Sequence, residues 1–277
     1  MACHTPYYKR PKGYLREIPL PCGNCPICKR NRVNQWVFRL KQEEKRSISA
    51  YFVTLTYDRE YLPRTRNNYR TLSRHDWQLF MKKLRRRNES KKRIRYYTAG
   101  EYGSKRGRPH YHSIMFNVTD VEMINDSWQK GIVYVGNVSG NSIAYTAKYI
   151  DKDKDEKRHS RDDRTREFSV MSKNLGDNYL TAQQIKYHKY DLSRNYVLDG
   201  KWRIPMPRYY RNIIYTPRER AIQRYMIEIQ KRKNDVLKAE QLRVRHKGRM
   251  TLDDYKETRK RQIYIQFQNR KNKRVYD

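Results

Sequence analysis

The stretch SAYFVTLTYD at residues 49–58 constrains the fold of this chain more than any other. It is rich in β-branched and aromatic residues, which favour strands, and a strand places alternate side chains on opposite faces of a sheet. The two faces would carry Phe52, Thr54 and Thr56 on one side, and Val53, Leu55 and Tyr57 on the other. The chain therefore contains a β-sheet, and the elements that follow this strand decide its kind.

Local signals predict a regular order of elements after this strand. Ser73 with Asp76 and Thr119 with Glu122 are capping boxes that open helices, and Gly131 would close the second helix. The predicted elements are a strand at 49–58, a helix at 73–87, strands at 93–101 and 109–118, a helix at 119–131, a strand at 132–138 and a helix at 142–150. This is the split βαβ, or ferredoxin-like, order of an α+β fold, and it predicts a central antiparallel sheet with helices on one face.

Two features divide the chain around this core. Apolar residues at helical spacing, from Val33 to Leu40, predict a basic amphipathic helix over residues 29–46. Residues 151–167 contain no apolar side chain, so we interpret them as a solvated linker or mobile loop. The predicted domains are a Cys-rich strap with the basic helix at 1–47, the core at 48–151, and a basic C-terminal region at 152–277.

The C-terminal region is predicted to be helical and basic. Asp199 with Gly200 indicates a hairpin, and Thr216 opens a helix that runs to about Gly248. A second helix begins at Thr251. Both helices carry Lys and Arg on more than one face, which is typical of a clamp that holds a polyanion.

The charge balance indicates which kind of partner the chain has. Lys and Arg number 64 and Asp and Glu 29, which gives a net charge of +35, so a polyanion is expected and nucleic acid is the first choice. No apolar run approaches the ~18 residues of a spanning helix, and a membrane is therefore not expected as the partner. The N-terminus lacks the apolar stretch of a signal peptide, so we expect a reducing cytosol in which the cysteines are thiols or ligands.

Two histidines in GRPHYHSIMF, residues 107–116, form a candidate metal site. His110 and His112 would project from one face of a strand while Tyr111 packs on the other. Glu101, at the end of the preceding strand, could add a carboxylate and leave coordination positions open. Asp58 or Glu60 could also reach such a site, and a structural role for the histidines is the alternative.

A helix downstream offers candidate nucleophiles. In AYTAKYIDKD, Tyr145 and Tyr149 are four residues apart and share one helix face, with Lys148 beside them. A phenol attacks poorly at its usual pKa of ~10, but a phosphate polarised by a metal ion makes it competent. The spacing alone is weak evidence, because the chain contains 25 tyrosines, most of which would pack or stack on bases.

The order of three motifs resembles the HUH endonucleases, the superfamily of rolling-circle replication initiators. The motifs are FVTLTY at 52–57, GRPHYHSIMF at 107–116 and YTAKY at 145–149, and the paired tyrosines are similar to the two-tyrosine branch. LPCGNCPICKRNRVNQWVFRLKQE at 20–43 and RIPMPRYYR at 203–211 resemble the replication-associated proteins of gokushovirus-like microviruses, small single-stranded DNA phages.

The resemblance implies a metal-dependent nuclease and strand transferase. His110 and His112 would bind Mg²⁺ or Mn²⁺ with Glu101 as the third ligand, and Tyr145 and Tyr149 would be the nucleophiles. One tyrosine would cut origin DNA, leaving a 5′-phosphotyrosine and a 3′-OH for a host polymerase, and the second would allow the product strand to be religated.

Two further expectations accompany that resemblance. Lys148 would steady the phosphate or the phenolate. The sequence contains no P-loop, so a host helicase is expected to unwind the duplex in the bacterial cytoplasm.

The four cysteines suggest a second metal site. Cys22, Cys25 and Cys28 form C-x-x-C-x-x-C, and Cys3 or His4 would complete a structural Zn²⁺ site. A ferredoxin-type iron–sulfur run lacks its nearby fourth cysteine here. Unliganded thiols that pack a turn are the remaining interpretation.

Two other functions would be compatible with parts of the sequence. A relaxase or transposase of the same superfamily would act on transfer origins or element ends. A non-enzymatic nucleic-acid-binding or packaging protein would need only the positive charge and the tyrosines.

Overall fold

A computed structural model describes residues 3–10, 17–103, 107–148 and 159–276 of the chain. In these residues the strands are β1 (Tyr7–Lys9), β2 (Ile18–Leu20), β3 (Ala50–Thr56), β4 (Arg95–Tyr102), β5 (Pro109–Phe116), β6 (Val133–Asn137), β7 (Phe168–Met171), β8 (Tyr196–Asp199) and β9 (Trp202–Pro205). The helices are α1 (Pro26–Arg46), α2 (Arg74–Arg87), α3 (Glu122–Trp128), α4 (Gly140–Lys148), α5 (Ala182–Tyr190), α6 (Arg208–Ile214), α7 (Pro217–Arg245) and α8 (Leu252–Tyr276).

The central sheet has the predicted split βαβ arrangement. Its strand order is β6-β3-β5-β4-β7, and each of its pairs is antiparallel. Strand β5 lies between β3 and β4, which α2 connects along the chain. The α+β fold class with a central antiparallel sheet is therefore confirmed, and β7 adds an edge strand that the sequence did not predict.

Helices cover both faces of this sheet, so the expectation of helices on one face is wrong. Residues of α2 and α3, including Trp77 and Ile124, pack on the face that carries Val53 and Leu55. On the opposite face, Leu40 of α1 and Ile143 of α4 form a second core with Ile114 of β5. Both faces of β5 bury side chains at alternate positions, and each therefore needs a covering layer.

The first predicted capping box forms only in half. The hydroxyl of Ser73 accepts a hydrogen bond from the backbone N–H of Asp76 at 3.1 Å and so caps α2. The Asp76 carboxylate instead accepts from the hydroxyl of Tyr57 at 3.0 Å and pairs with Lys130 at 3.2 Å. The backbone N–H of Ser73 donates to the hydroxyl of Tyr111 at 3.1 Å, so tertiary contacts replace the reciprocal bond.

The second predicted capping box, at Thr119 and Glu122, is wrong. Helix α3 begins at Glu122, whose backbone N–H donates to the carboxylate of Asp120 at 3.0 Å. The Thr119 hydroxyl turns away and donates to the side-chain oxygen of Asn88 at 3.1 Å. Asp120 serves here because a short polar side chain two residues ahead can form the same local turn.

The described part of the charged segment is held by hydrogen bonds rather than solvated. The backbone N–H of Thr165 donates to the hydroxyl of Thr71 at 2.9 Å, and Glu167 accepts from the backbone N–H of Tyr102 at 2.8 Å. Strand β7 then joins β4. Residues 33–179 consequently form one compact unit, whereas the sequence places domain boundaries at 47/48 and 151/152.

The second compact unit combines the N-terminal stretch up to Arg32 with the chain from Leu180 onward. The predicted hairpin is present as β8 and β9, with Gly200 at φ +59° in its turn. Helices α7 and α8 begin as predicted, with reciprocal hydrogen bonds between Thr216 and Glu219 and between Thr251 and Asp254. Helices α5 and α6 were not predicted. Among the described residues, no helix has the length and apolar character to span a membrane.

Candidate active site

The strand register brings the three predicted metal ligands together. His110 and His112 alternate with Tyr111 on β5, and Glu101 of β4 lies directly opposite His110. Side chains of directly opposed residues share a sheet face, so all three project together. Their candidate ligand atoms lie within 4.8 Å of one another. The carboxylate in this group is Glu101, rather than the alternatives Asp58 or Glu60.

One oxygen of Glu101 is the meeting point of the group. Its Oε1 lies 2.7 Å from Nε2 of His110 and 3.0 Å from Nε2 of His112. Glu101 and His112 are buried, and His110 is partly exposed. The three side chains therefore form a compact, largely buried set at one end of the sheet.

Hydrogen bonds on the far side of each imidazole set the ring orientations. Nδ1 of His110 lies 3.0 Å from the carbonyl oxygen of Arg108, and Nδ1 of His112 lies 2.9 Å from the hydroxyl oxygen of Thr54. Arg108 is anchored in turn, since its guanidinium donates to the carbonyl oxygen of Tyr57. Both Nε2 atoms consequently point at the Glu101 carboxylate, an arrangement typical of metal-binding histidines.

This geometry needs a positive charge between the donors. A carbonyl oxygen only accepts, so Nδ1 of His110 must carry the hydrogen that it shares with Arg108. In a neutral imidazole, Nε2 would then present a lone pair to the Glu101 oxygen at 2.7 Å. A proton or a cation removes this repulsion. Two imidazole nitrogens and one carboxylate oxygen suit a divalent metal ion with open positions, so the residues fit the predicted ion.

Tyr145 lies against this site. Its ring centroid is 5.2 Å from that of His112, at an interplanar angle of 79°. Phe52 stacks on the other side of the group, 5.6 Å from His112 and 6.2 Å from Tyr145. Ile143 and Ala147 anchor α4 by burial, while 44% of Tyr145 remains exposed. A phenol that contacts a candidate metal ligand is therefore also accessible to a substrate.

Two other predicted residues belong to the same helix. The side chain of Lys148 and the whole of Tyr149 lie outside the described residues. Their places beside Tyr145 in Y-x-x-K-Y thus stay predictions from the sequence.

Tyr111 is the packing residue that the alternation predicts. Its fully buried hydroxyl donates to the carbonyl oxygen of Ser73 at 2.7 Å and lies 2.8 Å from the hydroxyl of Tyr57. Burial raises the pKa of Tyr111 to about 12 and moves the pKa of Tyr57 well above its usual range. Phenols on this face stay protonated, which leaves the Tyr145 side of the sheet for chemistry.

The four cysteines also meet, in the other compact unit. The sulfur atoms of Cys3, Cys22, Cys25 and Cys28 lie within 4.8 Å of one another, with Cys3 in the place where His4 was the alternative. All four are free cysteines. Burial raises the pKa of Cys22, but hydrogen bonds from the Thr5 hydroxyl and from backbone N–H groups outweigh it and lower that pKa to about 6. Burial raises the pKa of Cys28.

Thr54, Phe52 and the carbonyl of Arg108 are site residues that sequence reasoning did not select. The alternation of β3 had placed Thr54 and Phe52 on one face, but only the register with β5 sets Thr54 opposite His112. A carbonyl group carries no sequence signal at all.

Comparison with known proteins connects this site with a family. The family of the replication-associated protein ORF2 matches residues 50–154, which include β3 to β6, α4 and the three candidate ligands. Replication-associated protein ORF2 of Spiroplasma virus 4 is 30% identical over 228 residues, covering 73% of this chain and 70% of the relative.

Two further phage proteins are similar over most of the chain. Replication-associated protein VP4 of Bdellovibrio phage phiMH2K is 29% identical, over 72% of this chain and 68% of the relative. Replication-associated protein ORF4 of Chlamydia phage 1 is 28% identical, over 72% of this chain and 54% of the relative. No solved structure matches the chain. The chain therefore belongs to the family of phage replication-associated proteins.

Proposed function

We propose that this protein is an HUH endonuclease that nicks the phage replication origin and starts rolling-circle synthesis. The observation that carries the proposal is the contact between Tyr145 and His112, since it puts an accessible phenol beside a two-histidine, one-carboxylate group. Membership of a family of replication-associated proteins supports a role in initiation.

Glu101, His110 and His112 would hold Mg²⁺ or Mn²⁺. When bound, such an ion supplies Lewis-acid polarisation of a phosphoryl oxygen and stabilises the charge that develops there. Thr54 and the carbonyl of Arg108 contribute by fixing the two imidazoles, so the ligand set is oriented before the ion arrives.

Tyr145 would act as the nucleophile. Its phenolic oxygen loses a proton and forms a bond to the scissile phosphorus, while the bond from phosphorus to the 3′ oxygen breaks and that oxygen gains a proton. The products are a 5′-phosphotyrosine and a free 3′-OH. One phosphodiester replaces another in this exchange, so no nucleotide cofactor is consumed and the step can run in reverse to religate DNA.

Tyr149 and Lys148 would complete the cycle. Tyr149 would cleave the regenerated origin after one round of synthesis, and the released 3′-OH would attack the first phosphotyrosine and close a circle. Lys148 would steady the phosphate or the phenolate. A host polymerase would extend the first 3′-OH and a host helicase would open the duplex, in the cytoplasm of the bacterial host.

Other side chains would hold the single strand. Tyr134 of β6 lies directly opposite Thr54, and 61% of it is exposed. An exposed ring beside the site offers a surface on which a base can stack. The excess of basic residues would hold the phosphates.

A covalent-adduct assay tests the proposal. The full chain is incubated with Mn²⁺ and single-stranded oligonucleotides that tile the genome encoding it, and the products are separated under denaturing conditions. We expect a protein–DNA band with the origin oligonucleotide that EDTA abolishes. The double variant Tyr145→Phe, Tyr149→Phe should bind the DNA but form no band.

A matched double variant controls for loss of phenols in general. Tyr61 and Tyr69 are exposed tyrosines outside α4, and their joint replacement by Phe should leave the adduct intact. Lack of a band on every oligonucleotide would reject the nuclease and favour a non-enzymatic DNA-binding or packaging protein. Cleavage confined to transfer origins or element ends would indicate a relaxase or a transposase.

A further inference from the structure

The cysteine cluster takes no part in the proposed cleavage reaction, and its surroundings indicate a different role. Cys22 and Cys25 lie in the turn before α1, Cys28 lies in the first turn of that helix, and Cys3 comes from the N-terminal stretch. The sulfur atoms of Cys3 and Cys25 are 3.8 Å apart. Four convergent thiols with no disulfide among them form a complete tetrahedral donor set for one zinc ion.

Backbone groups are arranged around the sulfur atoms as in a metal-binding turn. The N–H groups of Asn24 and Cys25 donate to Sγ of Cys22 at 3.4 and 3.2 Å, and the N–H of Cys22 donates to Sγ of Cys3 at 3.3 Å. Such bonds stabilise negative charge on the sulfur atoms. Thiolate ligands favour zinc over Mg²⁺ or Mn²⁺, which separates this cluster from the histidine site.

The C-terminal helix α8 packs directly on this cluster. Ile263 is buried in one apolar group with Cys25, Ile27 and Cys28. One residue further along, the ring of Tyr264 stacks on that of His4, with centroids 5.7 Å apart at 30°.

A third contact lies one turn further along the same helix. The ammonium group of Lys29 is 5.8 Å from the ring centroid of Phe267. Residues at 263, 264 and 267 thus bring one side of α8 onto the strap, in the same compact unit.

Little else in the middle of α8 would hold it there. Ile263 is the one buried residue among those of α8 whose burial is described, and Ile265 is 52% exposed. The beginning of the helix is held to α7 through an exposed ion pair between Lys256 and Asp235 at 2.9 Å. Exposed ion pairs of this kind contribute little to stability.

We propose that the four thiolates bind one Zn²⁺ and that this ion is a clasp that fixes helix α8 to the N-terminal strap. Zinc locks the short loops that carry Cys3, Cys22 and Cys25, and so creates the surface that receives Ile263 and Tyr264. Each thiol that binds gives its proton to solvent, and the tetrathiolate carries two negative charges. Lys29, which follows Cys28 and is itself buried, lies beside this charge.

Metal analysis of the purified full chain tests the zinc site. We expect one zinc per chain, with X-ray absorption reporting four sulfur neighbours at about 2.3 Å. The variant His110→Ala should retain this zinc, whereas Cys22→Ser with Cys28→Ser should lose it. A protein without zinc, or zinc bound by nitrogen and oxygen, would overturn the site, and so would two disulfides.

Hydrogen exchange on the wild-type chain tests the clasp even if the cysteine variants fail to fold. Removal of zinc by a chelator should increase exchange of the backbone amides around residues 260–269 and leave β3 to β5 protected. Unchanged protection in α8 after complete zinc loss would overturn the clasp.

Two isoleucines on the same helix provide a matched pair. Docking and zinc binding are reciprocal, so Ile263→Ala should weaken zinc binding by about fivefold or more. Ile265→Ala should leave the affinity unchanged, because its side chain is exposed. Equal affinities for the two variants would show that α8 and the zinc site are uncoupled. DNA cleavage is not needed for either measurement, so failure here is distinct from failure of the proposed nuclease.

Discussion

The orientation of His112 depends on a single hydroxyl. Thr54 Oγ1 is 2.9 Å from Nδ1 of His112, and Phe52 stacks against the same imidazole at 5.6 Å. The stacked ring restricts the tilt of the imidazole, but only the hydroxyl fixes its rotation about that plane. The direction of Nε2 towards Glu101 therefore comes from Thr54.

Replacement of Thr54 by Val tests this dependence. Val keeps the shape of the side chain and removes the hydrogen bond, so we expect Mn²⁺ to bind roughly 10–100-fold more weakly, as for other partners of metal-binding histidines. Binding is measured by electron paramagnetic resonance on the full chain with the cysteine cluster saturated with zinc.

Thr56→Val is the matched control for that experiment. Thr56 lies two residues along the same strand face, and its hydroxyl donates to the carbonyl oxygen of Ile132 at 3.1 Å instead of to a histidine. Its Mn²⁺ affinity should equal that of the wild type. If Thr54→Val also binds as the wild type does, the orienting role is refuted.

The connection between α3 and β6 is the most crowded turn of the sheet. Gly131 has φ +149°, and a Cβ there would lie 2.5 Å from both the backbone N of Asp58 and the carbonyl oxygen of Thr56. That carbonyl also accepts from the indole N–H of Trp128 at 2.7 Å, so it cannot move aside freely. This glycine lets α3 end close against β3 before the chain enters β6.

We expect Gly131→Ala to destabilise the protein strongly. Gly200→Ala is the control, because Gly200 also has a positive φ but nothing within 4 Å of its Cβ position. A left-handed alanine costs roughly 1–2 kcal/mol, which both variants share. Overpacking should add about 1–3 kcal/mol for Gly131 alone. Denaturant unfolding gives both free energies, and similar values would contradict the crowding.

At the scale of elements, the sequence predicted what depends on local patterns. The alternation on β3 and β5 and the order of helices are local, and they led to the sheet and to the juxtaposition of Glu101 with His110 and His112. Strand β7 was missed because four residues after a charged segment have no distinctive period. The second helical layer was missed because α1 precedes the core in the chain and was assigned to another domain.

Long-range partners were beyond prediction for a related reason. Thr54 and His112 are opposite only through strand register, and Cys25 and Ile263 meet only after the whole second unit has folded. A single sequence specifies such pairs through packing and not through spacing. The order of Tyr145 after the histidines was informative, whereas its ring contact with His112 required the structure.

At the scale of the whole molecule, the charge balance dominates binding. Even if each acidic side chain paired with a basic one, 35 cationic side chains would remain. On α7 the acids already have basic neighbours, as Glu228 with Arg232 at 2.7 Å and Glu240 with Arg243 at 2.8 Å show. The remaining cations are available for phosphates, and their contribution to DNA affinity should come from the release of counterions.

The affinity for single-stranded DNA should therefore fall steeply with salt. A plot of log K against log salt should be linear, with a slope of about −0.7 for each phosphate that the protein neutralises. Fluorescence anisotropy in monovalent salt without divalent ions measures it and keeps cleavage from interfering. His110→Ala should leave the slope unchanged, since the metal site adds no phosphate contact under these conditions. An oligomer of the same bases on an uncharged backbone should bind weakly with almost no salt dependence. A slope near zero on DNA would mean that base stacking, not charge, holds the strand.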